Sequence, residues 1–150
     1  MSKVLRPTDV TGHLATINPV SQGAGTAVSG WIDMSKVDKV KAKVAVGVLG
    51  AGATVDAKLQ QATSSGGAGA KDIPGKAITQ LTQAGADSNK QALINLFSDE
   101  LDVNGGFKFV QLSITVAVAA SLIYGEMEGF NARYAPASDN DAASVDEIVG

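Results

Sequence analysis

The chain has 150 residues, a formal net charge of −3 at pH 7 and no cysteine. This length suits one domain with one core, and the acidic balance argues against direct nucleic-acid binding, which needs a basic face. Without cysteine, disulfides and thiolate metal sites are excluded. Aromatic residues make up only 5% of the chain and glycines number 17, so the core must be aliphatic and the chain must turn often.

The N-terminal part of the chain begins without a clear pattern. Residues 1–12 show no periodicity and no apolar signal-peptide core, and they predict an arm. His13–Ile17 predicts a first short strand that ends at Asn18–Pro19. The Gly- and Ser-rich stretch Ser21–Gly30 leaves open a loop or a weak edge strand. The single tryptophan, Trp31, predicts a plug in the core or at its rim rather than a ligand contact.

Two alternating runs then follow one another closely. Lys39–Val48 alternates valine and alanine with polar positions, and Thr54–Thr63 does the same. Because the short glycine-bearing link Leu49–Gly52 joins them, the pattern predicts a β-hairpin. The lysines of the first run are interpreted as the solvated face of a strand.

The middle of the chain mixes turns with ambiguous runs. Ser64–Ala70 has the composition of a mobile loop, and Gly85–Lys90 that of a polar turn. Between them, Lys76–Thr82 predicts a strand. Gln91–Leu101 fits helical spacing slightly better than alternation, so the residues alone leave helix and strand open.

The strongest pattern is Phe107–Tyr124, where apolar and polar residues alternate from Val110 onward. It predicts a half-buried antiparallel strand with a bend near residues 119–121, where the alternation loses its phase. A last short strand is predicted at Gly129–Tyr134. Residues 137–150 are small, polar and acidic, and predict an extended arm.

Together these elements amount to about seven to nine short strands separated by frequent turn signals, which is typical of an all-β sandwich or small barrel. The predicted fold is a single antiparallel β-sandwich, jelly-roll-like, over residues 13–136. Residues 1–12 and 137–150 are predicted as its extended N- and C-terminal arms.

The glycine-rich segments and the single histidine do not match known nucleotide-binding, catalytic or metal-binding motifs. Gly47–Gly52 has the wrong spacing for a dinucleotide fingerprint and is followed by a strand. Gly75–Lys76 lacks the other residues of a phosphate loop. The single histidine, His13, cannot supply a triad or a multi-histidine metal site.

The acidic residues give no stronger signal. Asp139–Asp141 lack the glycine and the closing glutamate of a calcium loop. Asp99, Glu100 and Asp102 cluster at a turn, where they are interpreted as acceptors of backbone hydrogen bonds rather than as an acid–base pair. We therefore predict no catalytic, cofactor-binding or metal residues, and a protein that binds rather than reacts.

A set of short motifs in a fixed order spans much of the chain. They are GWIDM from Gly30, TVDAKLQQAT from Thr54, GAKDI from Gly69, ELD from Glu100, Gly106-Phe107, Phe109-Val110 and RYAP from Arg133. Over roughly residues 30–137, this set resembles a group of small virion structural proteins of tailed bacteriophages.

The resemblance implies an all-β accessory protein of the phage particle, which binds and stabilises the outer shell as a capsid decoration (cement) protein. It implies the major capsid protein and copies of the chain itself as partners, a homo-oligomer, and a place in the virion after assembly in the bacterial cytoplasm. It implies no catalytic residue and no cofactor. It also favours a strand from Gln91 to Phe97, followed by a tight turn at Ser98–Leu101.

Three other functions are compatible with the predicted fold. A head–tail joining or tail-tube subunit also uses sandwiches and arms. A carbohydrate-binding sandwich would need an exposed aromatic platform, which few aromatic residues can supply. An enzyme is the weakest alternative because none of the catalytic or cofactor-binding motifs considered above is complete. No partner membrane is expected, since Val110–Tyr124 is too short and too polar for a spanning helix.

Overall fold

A computed structural model of the protein describes residues 5–133 and 144–149, and nearly all of its regular structure is β. The strands are β1 (Thr11–Gln22), β2 (Gly25–Val28), β3 (Ile32–Asp33), β4 (Val37–Val46), β5 (Thr54–Ala62), β6 (Lys71–Ala77), β7 (Leu81–Thr82), β8 (Gln91–Phe97), β9 (Phe109–Ala117) and β10 (Ser121–Ala132). The helical segments are α1 (Pro7–Val10) and a 3-10 turn at Ser98–Glu100. In the described part of the chain, no helix is long and apolar enough to cross a membrane.

The strands form two antiparallel sheets. Sheet A has the order β1-β10-β4-β8, and sheet B has the order β2-β9-β5-β6, with β3 also paired to β9 and β7 to β5. β1 therefore pairs with β10, β2 with β9, β4 with β8 and β5 with β6, and this nested pairing is the connectivity of a jelly roll. The predicted antiparallel β-sandwich is confirmed.

The core between the sheets is aliphatic, as the scarcity of rings predicted. Its largest side chains that are almost completely buried include Val44, Val55, Leu59, Leu96, Leu112, Ile114 and Met127. Gly125 of β10 marks a close approach of the two sheets. A Cβ at Gly125 would lie 2.9 Å from Leu112 Cδ2 and 3.1 Å from Ile114 Cδ1, both on β9. Burial of these side chains supplies most of the driving force for folding.

The predicted hairpin between β4 and β5 is wrong. β4 pairs with β10 and β8 in sheet A, whereas β5 pairs with β9, β6 and β7 in sheet B. The link between them crosses the end of the sandwich, and its residues Leu49 and Ala53 are buried with the core. Alternation shows which face of a strand is buried. It does not show whether two consecutive strands pair in a hairpin or lie in different sheets, because the pattern is the same in both cases.

The bend predicted in Phe107–Tyr124 is confirmed, but the single half-buried strand predicted there is wrong. The segment forms two strands in different sheets, and β9 is buried on both faces from Val110 to Ile114, where Gln111 and Ser113 are 9% and 5% exposed. β9 ends at Ala117 in sheet B and β10 begins at Ser121 in sheet A, with Val118 at a φ of +74° in the corner. This corner packs against the β4–β5 crossover, since the backbone N–H of Gly50 donates to Ser121 Oγ at 3.1 Å. β10 continues to Ala132, so the separate short strand predicted at Gly129–Tyr134 is wrong.

The N-terminal elements also differ from expectation. β1 begins at Thr11 and runs through Asn18–Pro19, where its register against β10 shifts. The predicted end of the first strand at that dipeptide is wrong, because an edge strand tolerates proline where no N–H is needed. α1 lies inside the predicted arm. In Ser21–Gly30 the edge-strand alternative holds, since β2 pairs with β9 alone.

The middle of the chain resolves the remaining alternatives. Gln91–Phe97 is a strand followed by a 3-10 turn, as the resemblance favoured. The strand predicted at Lys76–Thr82 is displaced, because β6 covers Lys71–Ala77 and runs across Pro74 and Gly75. β6 ends the strand order of sheet B, where a proline interrupts no ladder.

Candidate interaction surface

The outer face of sheet A carries rows of opposite charge. On β4, Lys41 and Lys43 alternate with buried aliphatic residues and point outward. The register of β10 places Glu128 opposite Lys41 and Glu126 opposite Lys43. Their ammonium and carboxylate groups are 3.8 and 3.6 Å apart. The predicted lysine face is therefore present, half-buried and paired with acids, and each such pair contributes about 0–1 kcal/mol.

A polar cluster lies beside this ladder, where β1 pairs with β10. His13 Nε2 hydrogen-bonds to Thr16 Oγ1, and His13 Nδ1 lies 3.7 Å from Glu126 Oε2. The Tyr124 hydroxyl donates to the same Glu126 oxygen at 2.9 Å. Burial of the phenol, reinforced by the adjacent carboxylate, raises the pKa of Tyr124 to about 12.

The order of threonine, histidine and glutamate here is that of a nucleophile, a base and an orienting acid. However, the 3.7 Å separation between His13 and Glu126 exceeds the hydrogen-bond range of about 2.7–3.2 Å. Glu126 is also engaged by Tyr124 and Lys43. The cluster therefore suits the binding of a polar segment better than the activation of an oxygen nucleophile.

Residues 144–149 lie over this cluster, and we name them the C-terminal strap. Ser144 Oγ lies 3.0 Å from Thr16 Oγ1. A depression of about 680 Å³ between strap and sheet is lined by His13, Thr16, Asn18, Pro19, Tyr124 and Glu126 with Ser144–Glu147. A second, of about 360 Å³, is lined by Thr8, Thr11, His13 and Glu128 with Val145 and Glu147–Val149. The strap thus runs antiparallel to β1.

The two ends of the outer face of sheet A are apolar. On β10, Leu122 is 47% exposed and borders a depression of about 420 Å³. Val20 also lines this depression, although the register places it opposite the buried Ile123. At the opposite edge, Leu93 and Phe97 of β8 are 58% and 52% exposed. A charged centre flanked by exposed apolar side chains is a composition suited to contact with another macromolecule.

Two of the three turn carboxylates, Glu100 and Asp102, accept backbone hydrogen bonds as the sequence predicted, whereas Asp99 accepts none from the described residues. Glu100 accepts the backbone N–H of Phe97 at 2.7 Å and pairs with Lys76, and these contacts lower its pKa. Asp102 pairs with Lys71 at 2.6 Å and accepts the backbone N–H of Gly105, which together lower the pKa of Asp102. Both side chains stabilise the turn. Asp139–Asp141 lie outside the described residues.

The other motifs singled out in the sequence have structural roles. Gly47–Gly52 belongs to the crossover, and Gly75–Lys76 lies within β6. Trp31 is half-buried and packs on Gly67, where a Cβ would lie 2.8 Å from the indole Nε1. It therefore closes the Ser64–Ala70 loop, as a rim plug. Among the residues that the structure describes, no group of three or more His, Asp or Glu residues could hold a metal ion.

Sequence reasoning missed the cluster around His13 because its members lie more than a hundred residues apart in the chain. One signal was available. Glu126 and Glu128 follow Tyr124 at alternate positions of β10, and these two acids complement Lys43 and Lys41 of β4. A charge-complementary pair of alternating runs indicates two neighbouring strands.

No family model and no curated protein matches the chain. Solved structures with a similar strand arrangement include a chain of broad bean stain virus, seen by cryo-electron microscopy, with 8% identity and a TM-score of 0.49. The match covers 87% of this chain and 91% of that one.

Two further similar structures differ in kind. A chain of the naturally occurring empty particles of cowpea mosaic virus has 10% identity and a TM-score of 0.41, over 89% of this chain and 94% of that one. A mitogen derived from Yersinia pseudotuberculosis has 14% identity and a TM-score of 0.37, over 86% and 88%. Two come from virus particles and one does not, so the likeness does not select a function.

Proposed function

We propose that the protein is a structural component of the virion of a tailed phage, a capsid decoration protein that binds the outer shell and stabilises it. The structural observation that supports this most is the outer face of sheet A. The tailed-phage assignment itself rests on the motif set over residues 30–137. The proposed partners are the major capsid protein and further copies of the chain, with the arms 1–12 and 137–150 making additional contacts.

The composition of this face suits attachment to a repeating surface. Its ion-pair ladder can exchange partners with charges on a neighbour, which favours rapid and oriented association. Its exposed apolar side chains, Leu122 at one end and Leu93 with Phe97 at the other, add area that is buried only on contact. Each contact is weak alone, but a lattice multiplies them, so that many modest contacts give strong overall attachment.

The phenylalanine rings argue against the carbohydrate-binding alternative. All four phenylalanines of the sequence have a lysine ammonium within 6 Å of the ring centroid. The tightest pair is Lys71 over Phe107, at 4.1 Å. Sugar binding needs an exposed aromatic platform, and among the described aromatic residues only Phe97 is exposed, with Lys39 over one of its faces. A head–tail joining or tail-tube subunit remains the second candidate function.

The copy number in purified particles tests the proposal. We expect this protein at a ratio near one, or a fixed large fraction, relative to the major shell protein, measured by mass spectrometry with isotope-labelled reference peptides. A low copy number, such as a single ring would give, would contradict decoration and support the head–tail alternative. Absence from the particle would contradict the virion role altogether.

A further inference from the structure

The C-terminal strap is seated shallowly on its own domain. Val145 is half-buried, but the other five residues are exposed, with Ile148 at 44% and Val149 at 84%. The side-chain contact between Ser144 and Thr16 anchors only the first residue of the strap. Segments with so little buried surface open at low free-energy cost.

The charged side chains of the strap lie near acids of the sheet. Asp146 and Glu147 of the strap line the same depression as Glu126, and Glu147 borders a second one with Glu128. Lys41 and Lys43 compensate Glu128 and Glu126 from the neighbouring strand, and His13 lies between strap and sheet. Asp146 and Glu147 thus line these depressions together with acids, and neither forms an ion pair with another described residue.

The connection between domain and strap has reach to spare. Thr16 pairs with Glu126, and Arg133 lies seven residues beyond Glu126, so Arg133 and Ser144 are roughly 23 Å apart along the strand. Residues 134–143 can span roughly 35–40 Å. The connection therefore does not restrict the strap to its own domain.

From these observations we infer that the strap is exchanged between copies, so that residues 144–149 of one chain dock on the His13–Thr16–Glu126 face of a second copy. Exchange re-forms the same contacts, and its remaining cost is the entropy of association. Any area that Ile148 and Val149 bury in addition, both being exposed in the single chain, would favour the exchanged state. This inference rests on the proposed self-association and identifies the surface responsible for it.

The absence of cysteine from the sequence allows a direct test. Thr16→Cys and Ser144→Cys are made as separate single variants, one of them ¹⁵N-labelled, and mixed under mild oxidation. Exchange predicts a mixed-isotope disulfide between positions 16 and 144, at a yield more than about tenfold above a control pair, because docking raises the effective concentration of the two thiols. The control pairs Ser144→Cys with Asn104→Cys, in the exposed turn before β9.

Two measurements separate the possible failures. The double variant Thr16→Cys/Ser144→Cys on one chain reports docking within that chain, and analytical ultracentrifugation of the unmodified chain reports its mass against concentration. An oligomer in which the mixed variants cross-link no better than the control, while the double variant closes internally, would overturn exchange and leave self-association by another surface. An unmodified chain that stays at one-copy mass would overturn both, whereas the particle copy number tests the virion role separately.

Discussion

The outer faces of the two sheets differ in how their polar side chains are paired. On sheet B, polar side chains bond to one another across strands: Thr26 to Thr115 at 2.9 Å, and Lys58 and Gln60 to Asp72 at 3.0 and 3.1 Å. On sheet A, the half-buried Lys41 and Lys43 face acids at 3.8 and 3.6 Å, too long for hydrogen bonds, although Tyr124 donates to Glu126 at 2.9 Å. Leu93, Phe97 and Leu122 are exposed on sheet A, whereas on sheet B the exposed large apolar side chain among the described strand residues is Val28.

This difference indicates which face is available to a partner. A face whose polar groups already have short hydrogen bonds gains little free energy by binding. A partner would have to replace those bonds by others of similar strength. A face with loose ion pairs and exposed apolar residues gains both better partners and buried area. We therefore expect substitutions on sheet A to affect binding, and substitutions at the buried bonds of sheet B to affect stability.

The largest expected effect is on binding. Lys43→Glu adds a third acid to the row of Glu126 and Glu128 and reverses a charge on the proposed contact face. Because facing like charges are costly, we expect at least about a tenfold loss of affinity for particles stripped of this protein. Co-sedimentation over a concentration series measures the affinity.

Lys58→Glu is the matched control, since Lys58 is also a half-exposed lysine that pairs with an acid, but on sheet B. It should bind within about twofold of the unmodified chain, because an exposed pair contributes little. Equal losses in both variants would show that the two faces do not differ in function.

A smaller effect is expected on stability at sheet B. Ser29 is 4% exposed, and its Oγ accepts the backbone N–H of Leu112 at 3.0 Å. Ser29→Ala leaves this buried N–H without that acceptor, so we expect the free energy of unfolding to fall by about 1–3 kcal/mol. Urea unfolding followed by the fluorescence of Trp31 measures it. The exposed Ser21→Ala should change stability by less than about 0.5 kcal/mol, and an equal cost at both sites would contradict this explanation.

The smallest effect concerns a single proton on sheet A. The pKa of Tyr124 is raised to about 12 by burial first and by Glu126 second. In a Tyr134→Phe background, which leaves Tyr124 as the remaining tyrosine, absorbance at 295 nm should titrate near this value. Glu126→Gln should lower the pKa only in part, because burial persists. A midpoint at the ordinary value of about 10 would contradict the described packing.

The sign of the linked stability follows from the same shift. The folded state holds the Tyr124 proton more tightly than the unfolded state does, so this group's contribution to stability is complete below about pH 10. It is then lost as the pH rises towards about 12. Glu126→Gln lowers the pKa of Tyr124 in the folded state, so the loss of stability should end at a lower pH than in the unmodified chain.

Sequence patterns predicted the elements of the fold better than their connections. The alternation in Lys39–Val48 and Thr54–Thr63 identified two core strands, because burial of one face dictates a period of two. In Phe107–Tyr124 it identified strand residues and the place of the bend, but not that the bend separates two strands in different sheets. The strand in Gln91–Phe97 needed the family resemblance as well, since its apolar spacing also fits a helix. Frequent turns, an aliphatic core and the structural role of the turn carboxylates also followed from the residues.

Only the tertiary structure decided which strands are neighbours. Nothing local to Val46 or Thr54 indicates that the chain crosses between sheets there, because pairing depends on the packing of distant segments. The same holds for His13, Thr16 and Glu126, which the pairing of the first long strand with the last brings together. Local residues determined each strand and its buried face, whereas the surface proposed for binding exists only because two ends of the chain lie side by side.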